Sequence, residues 1–129
     1  MAPKDSFSIT NTTKGRIPTL PFQKIKTAIL GKNYLLSLVF VSNARSRALN
    51  RRYRGKNKPA NVLSFPYGKK EGEIFLDLKE IEREKKKFGV AGPKLVARMF
   101  IHGLFHLKGL AHGSKMEGRE KKAFARFRV

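Results

Sequence analysis

The chain reads as an α/β (α+β) layer: a small sheet of about four strands packed around one central helix, with further helices surrounding it. Three observations lead there. Short apolar or β-branched runs alternate with stretches of helical periodicity. One helical stretch, Pro93 to about Lys108, carries only Arg98 as a formal charge between Leu95 and Leu107. It is therefore apolar nearly all round and should be packed on several sides. All three histidines lie on or just beyond that stretch, in HGLFHLKGLAH, residues 102–112.

Taken in order, Phe7 to Thr10 alternates weakly and predicts a first short strand. Pro21 opens a helical segment with Ile25, Ala28 and Ile29 on one face, and Gly31 stops it. Tyr34 to Ser42 is apolar and β-branched, as in a buried strand. Asn43 to Tyr53 follows as a helix, with Asn43 as N-cap and Ala48, Leu49 and Tyr53 facing inward. Gly55 to Pro59 is a basic turn. Asn61 to Tyr67 and Glu73 to Leu78 predict two strands joined by the link Gly68 to Gly72. Lys79 to Phe88 is a charged surface helix, and Met116 to about Phe127 a last, basic one. Neither repeats nor linkers interrupt the pattern, so residues 1–129 are expected to form a single domain, and 14.7 kDa suffices for one hydrophobic core.

The histidines carry the chemistry. His102 and His106, four apart, stack one turn above each other on a helix, in a stripe shared with Leu95 and Met99. His112 would point away in an unbroken helix, but Gly109 stands between, where a left-handed residue ends the helix and turns the chain back. Three imidazoles and one open position describe a catalytic zinc site better than a structural one. A helical histidine pair also arises by chance and can be satisfied by main-chain carbonyls. Zinc peptidases with this kind of helix place glutamate directly after the first histidine; here that residue is Gly103, which disfavours proteolysis.

Charge is the second signal. Twenty-nine Lys and Arg against nine Asp and Glu leave +20, with a pI near 10.8. No acid occurs between Ser6 and Lys70, whereas Glu71, Glu73, Asp77, Glu80, Glu82 and Glu84 cluster. Such a chain repels itself unless it rests against a polyanion, most simply nucleic acid. Seven bases lie between Arg45 and Lys58: Arg45, Arg47, Arg51, Arg52, Arg54, Lys56 and Lys58. Arg45 and Arg47 read as a solvated helix face. Arg51, Arg52, Lys56 and Lys58 are candidate RNA contacts, and Arg54, beside Gly55 in a turn feeding a strand, is the candidate catalytic arginine. A metal, an arginine on phosphate and a basic surface are the parts of a phosphodiester-cleaving site. The absence of cysteine and of an apolar leader suits a cytoplasmic protein without disulfides, and no apolar run is long enough to cross a membrane.

The blocks LNRRYRGKNKPANVLSFPY (49–67), GEIFLD (72–77) and HGLFHLKGLAH (102–112) resemble the YbeY family of bacterial rRNA maturation factors, described as metal-dependent endoribonucleases. The resemblance covers most of the chain. It implies a small mixed sheet around a central metal helix. It further implies one Zn²⁺ held by His102, His106 and His112 with water as fourth ligand, and a functional arginine at Arg54. The implied activity is single-strand-specific RNA cleavage in maturing the small-subunit rRNA 3′ end and in ribosome quality control, with the small subunit and assembly factors as partners. Three departures stand out. Ala111 replaces the family's aspartate before the third histidine, which lowers expected metal affinity or turnover. The stretch Gly113 to Arg128 is basic where the family is often acidic, and the link Gly68 to Gly72 is short. The alternative is a non-catalytic RNA- or ribosome-binding assembly factor in which zinc braces the helix.

Overall fold

The computed structural model describes residues 6–90, 92–110 and 113–129. These form β1 (Phe7–Asn11), α1 (Phe22–Leu30), β2 (Leu35–Phe40), α2 (Asn43–Arg54), β3 (Val62–Gly68), β4 (Glu71–Leu76), α3 (Leu78–Phe88), α4 (Gly92–Leu107) and α5 (Ser114–Phe127). The sheet order is β1-β2-β4-β3, parallel except for β3, which runs antiparallel to β4. Chain geometry dictates that mixture. A helix between β1 and β2 returns the chain for a parallel pairing, whereas β3 and β4 are joined too tightly for anything but a hairpin. The expected link is tighter than the sequence suggests: Gly68 pairs with Glu71, so only Lys69 and Lys70 form the turn, and an irregularity between Pro66 and Gly68 absorbs the register. None of the described helices is long and apolar enough to cross a membrane.

The apolar residues of β2 (Leu36, Leu38, Phe40) and β4 (Ile74, Leu76) form one sheet face against α4, whose Leu95, Phe100, Ile101 and Leu104 are almost fully buried. Each such side chain contributes roughly 1.5–3 kcal/mol of burial, so α4 is the most firmly held helix in the fold. It touches α1, α3, α5, β3 and β4. The central position expected for the all-round apolar stretch is what the structure has.

Two expectations fail on α2. Its N-cap is Ser42, whose hydroxyl accepts from Arg45 N at 3.2 Å; Asn43 instead donates Nδ2 to Asp77 Oδ2 at 2.9 Å. Its inward face is Ser46, Leu49 and Asn50, while Ala48 is exposed and Tyr53 is 58% exposed, its ring set on Phe65. The cause is Asp77. This buried carboxylate also accepts from Ser46 Oγ (2.6 Å) and caps α3 by accepting from Glu80 N (3.0 Å). A buried charge must be hydrogen-bonded, so polar residues of α2 turn toward it. It also explains why β4 stops at Leu76 rather than Leu78.

Lys26 is a second departure from simple amphipathicity, since Ala28 on α1 is exposed while Lys26 is 1% exposed. Its Nζ donates to Ser6 Oγ (2.8 Å) and to the Lys32 carbonyl (3.3 Å), and burial lowers its pKa. A depressed lysine pKa means that folding disfavours the ammonium. The penalty is fully present below the folded pKa and is relieved as pH rises through it toward the unfolded value. Lys26→Met should therefore melt about 4 °C higher near neutrality, for a gain of roughly 1 kcal/mol. The gain should shrink in alkaline buffer; melting curves showing a pH-independent gap would refute this account.

Candidate metal centre

Helix α4 presents its histidines from a rigid base. Phe100, Ile101, Leu104 and Phe105 anchor the helix on its other sides, which leaves Leu95, Met99, His102 and His106 as one stripe lining a cleft of about 800 Å³. The helix ends as the glycine predicted. Gly109 has φ 95°, its N–H donates to His106 O (3.0 Å), and Leu110 N–H donates to Phe105 O (3.1 Å). That pair of bonds is the Schellman termination, which redirects the chain immediately before the third histidine. His112 itself, with Ala111, lies outside the described residues.

The two described imidazoles converge. His102 Nε2 and His106 Nε2 stand 3.0 Å apart, with ring planes at 84°. Two nitrogens bound to one tetrahedral zinc at 2.0–2.1 Å would be about 3.4 Å apart, so a small relaxation fits both to a single ion. Glu120 of α5 holds the outer nitrogen: its Oε2 is 3.0 Å from His102 Nδ1, with both side chains largely buried. A neutral His102 then donates Nδ1–H to the carboxylate and presents the Nε2 lone pair inward, the arrangement in which metal-bound histidines are oriented by an outer carboxylate. The donor set fits a transition metal. Among the described residues these histidines do not by themselves make a complete set of three ligands.

Arg54 lines the same cleft. It is the last residue of α2, and Gly55 at φ 68° closes the helix by donating to Arg51 O and Asn50 O. The basic turn is then pinned: Asn50 Nδ2 donates to Lys58 O (2.9 Å), Arg47 Nε to Asn57 Oδ1 (3.1 Å) and Ala60 N to Ser46 Oγ (3.3 Å). The polar residues that sequence periodicity would have turned outward are the ones that hold this turn. Of the other basic candidates, Arg52, Lys56 and Lys58 are exposed beside the turn without lining the cleft. Arg51 lines a separate depression with Arg47 and Asn57.

Gly103 has a steric reason. A Cβ there would come within 2.8 Å of Ser64 Oγ and 3.2 Å of Val62 and Ile74, and Ser64 Oγ donates to Gly103 O at 3.1 Å. Position 103 faces the sheet and not the cleft. A glutamate there would be forced into β3 and β4 rather than toward the histidines, which removes the base that a peptidase of this helix type needs.

Sequence reading missed Glu120, Arg98 and Phe124, all of which line the cleft. A signal existed for the first: Glu117 and Glu120 are the only acids after Glu84, in an otherwise basic tail. Nothing local marks which of them reaches a histidine, because that depends on how α5 docks on α4.

Comparison with known proteins bears on the family and the fold. The family profile described as Endoribonuclease YbeY matches residues 7–128. A curated relative of that description from Chelativorans sp. is 36% identical over 100 residues, covering 70% of this chain and 61% of the relative. One from Ehrlichia ruminantium is 37% identical over 98 residues, covering 68% and 62%. The matched region thus spans less than two thirds of these relatives' own length. The solution structure of a Thermotoga maritima protein shares the fold, with a TM-score of 0.64 at 23% identity over 95% of this chain and 91% of that one. With the profile covering all nine elements around the histidine helix, the chain belongs to the YbeY family.

Proposed function

We propose that this protein is a zinc-dependent endoribonuclease that cuts single-stranded RNA, acting in small-subunit rRNA 3′-end maturation and ribosome quality control in the cytoplasm. The observation that carries the reading is the convergence of His102 Nε2 and His106 Nε2 in a cleft that Arg54 also lines. His102, His106 and His112 would hold the ion. When bound, such an ion makes solvent nucleophilic near neutral pH and offsets charge on phosphoryl oxygens. The chain does the rest. Glu120 holds His102 in the tautomer that points Nε2 inward. Arg54 sets a planar guanidinium against the scissile phosphate as charge develops, with Arg52 and Lys56 flanking it. Phe65, Phe88 and Phe124 give the cleft apolar walls that suit an unstacked base, which a duplex does not offer. An open cleft beside the histidines favours catalysis over a zinc that only braces the helix, since structural zinc sites are closed.

The test is cleavage of single-stranded and duplex RNA by metal-replete and chelator-treated protein. Only the metal-replete protein on single strands should cut; cleavage surviving chelation would remove the proposal. Glu120→Ala should weaken metal binding about 10–100-fold in chelator competition, and Glu120→Gln should retain part of it, because the amide oxygen still accepts from Nδ1. Equal affinity in all three proteins would mean that the carboxylate does not orient the ligand.

A further inference from the structure

A second concave surface adjoins the histidine cleft. It is an open groove of about 590 Å³ between α4 and α5, lined by Lys94, Arg98, Lys121, Phe124 and Arg128 together with Ala125 and Val129, with no acidic side chain among its lining residues. Arg98 and Phe124 line both the groove and the cleft, so the two form one continuous path across the α4–α5 face. Their shared wall is built firmly. The Arg98 guanidinium lies 4.7 Å from the Phe124 ring centroid and donates Nε and Nη2 to the Val129 main-chain oxygen at 3.0 and 2.9 Å. Lys94, Lys121 and Arg128 are exposed and form no salt bridge among the described residues, so their charge faces solvent.

We infer that this groove is a second RNA-binding subsite, which takes the phosphates of nucleotides flanking those held in the histidine cleft. The inference rests on the RNA reading of the cleft and deepens it, by giving the bound strand a direction of travel: from Arg54, past His102 and His106, over the Arg98–Phe124 wall, to Lys94, Lys121 and Arg128. Charge complementarity selects the occupant. A run of phosphates spaced along a strand matches cations dispersed along a groove, and a lone small anion would engage only one or two of them. Phe124 between the cations offers a flat apolar surface at the step between cleft and groove, where a base can stack while its phosphates are held on either side. The basic character of the tail from Gly113 to Arg128 then has a specific use: Lys121 of α5 and Arg128, just past its end, bring cations to the groove opposite Lys94 and Arg98 of α4.

The test uses metal-free protein, so that binding is read without cleavage. Single-stranded oligoribonucleotides of about 4 and about 16 nucleotides span the range of single-strand site sizes. The triple variant Lys94→Ser, Lys121→Ser, Arg128→Ser is compared with a control that removes the same charge elsewhere, Lys14→Ser, Lys24→Ser, Lys69→Ser. The groove variant should lose at least about tenfold in affinity for the long strand and little for the short one. Its plot of log affinity against log salt should be shallower by about 2, near 0.7 for each lost phosphate contact. The control should retain most of its affinity. Equal losses in groove variant and control would reduce the effect to net charge and overturn the subsite, as would equal losses for short and long strands. If wild-type protein binds and, with metal, cuts RNA while the groove variant matches it on both lengths, the subsite fails and the nuclease reading stands. If anionic lipid vesicles, and not RNA, distinguish the groove variant from the control, the groove is a membrane contact and the inference fails.

Discussion

Exchanging His106 for alanine is expected to bring bound metal from about one ion per chain to near zero and to lower RNA cleavage by at least about 10³-fold. The magnitude follows from the several kcal/mol of charge stabilisation that a catalytic ion supplies. The loss should be one of chemistry and not of fold. His106 sits on the cleft side of α4, whereas the helix is held by Phe100, Ile101, Leu104 and Phe105 on the others. Circular dichroism should therefore be nearly unchanged, while elemental analysis and a single-stranded RNA assay change together. Undiminished cleavage by this variant would point to a contaminating nuclease. Undiminished metal content with lost cleavage would place the ion elsewhere.

Arg54→Ala is the complementary experiment. Arg54 is exposed at the end of α2 and lines the cleft, so its removal should alter stability by no more than about 0.5 kcal/mol. Metal content should be unaffected. The turnover rate should nevertheless fall about 10²–10³-fold, the cost of removing one donor aimed at developing charge. Arg54→Lys should recover only part, because an ammonium cannot make the paired contacts of a guanidinium. Binding of RNA should weaken modestly, in line with one lost phosphate contact. A protein that merely binds RNA would show the modest binding loss alone, and that outcome would decide for the assembly-factor alternative.

Much of the architecture was legible residue by residue. The alternation of strand and helix, the all-round apolar character of Leu95 to Leu107 and the helix-ending Gly109 are local signals, and local physics enforces them. The same reasoning misread α2, because periodicity assumes that the inner face of a helix is apolar. Here a buried carboxylate just past the end of β4 drew Ser46 in, the Lys58 carbonyl drew in Asn50, and Ala48 and Tyr53 turned out. On α1 the inward place expected for Ala28 is taken by Lys26, because nothing in that helix announces the burial of a lysine. Glu120 was missed because it brings its carboxylate to His102 from eighteen residues away.

Taken alone, the amino-acid sequence determined the kinds of element, the identity of the central helix, the imidazole chemistry it bears and the strong positive charge. Each of these depends on spacing or composition within a few turns of chain. Only the tertiary structure decided that Arg54 shares a cleft with His102 and His106, that Glu120 orients one of them, and that a cationic groove continues the path beyond Phe124. These are contacts between residues remote in sequence, set by the packing of helices on a sheet, and no local pattern encodes the distance between two packed surfaces.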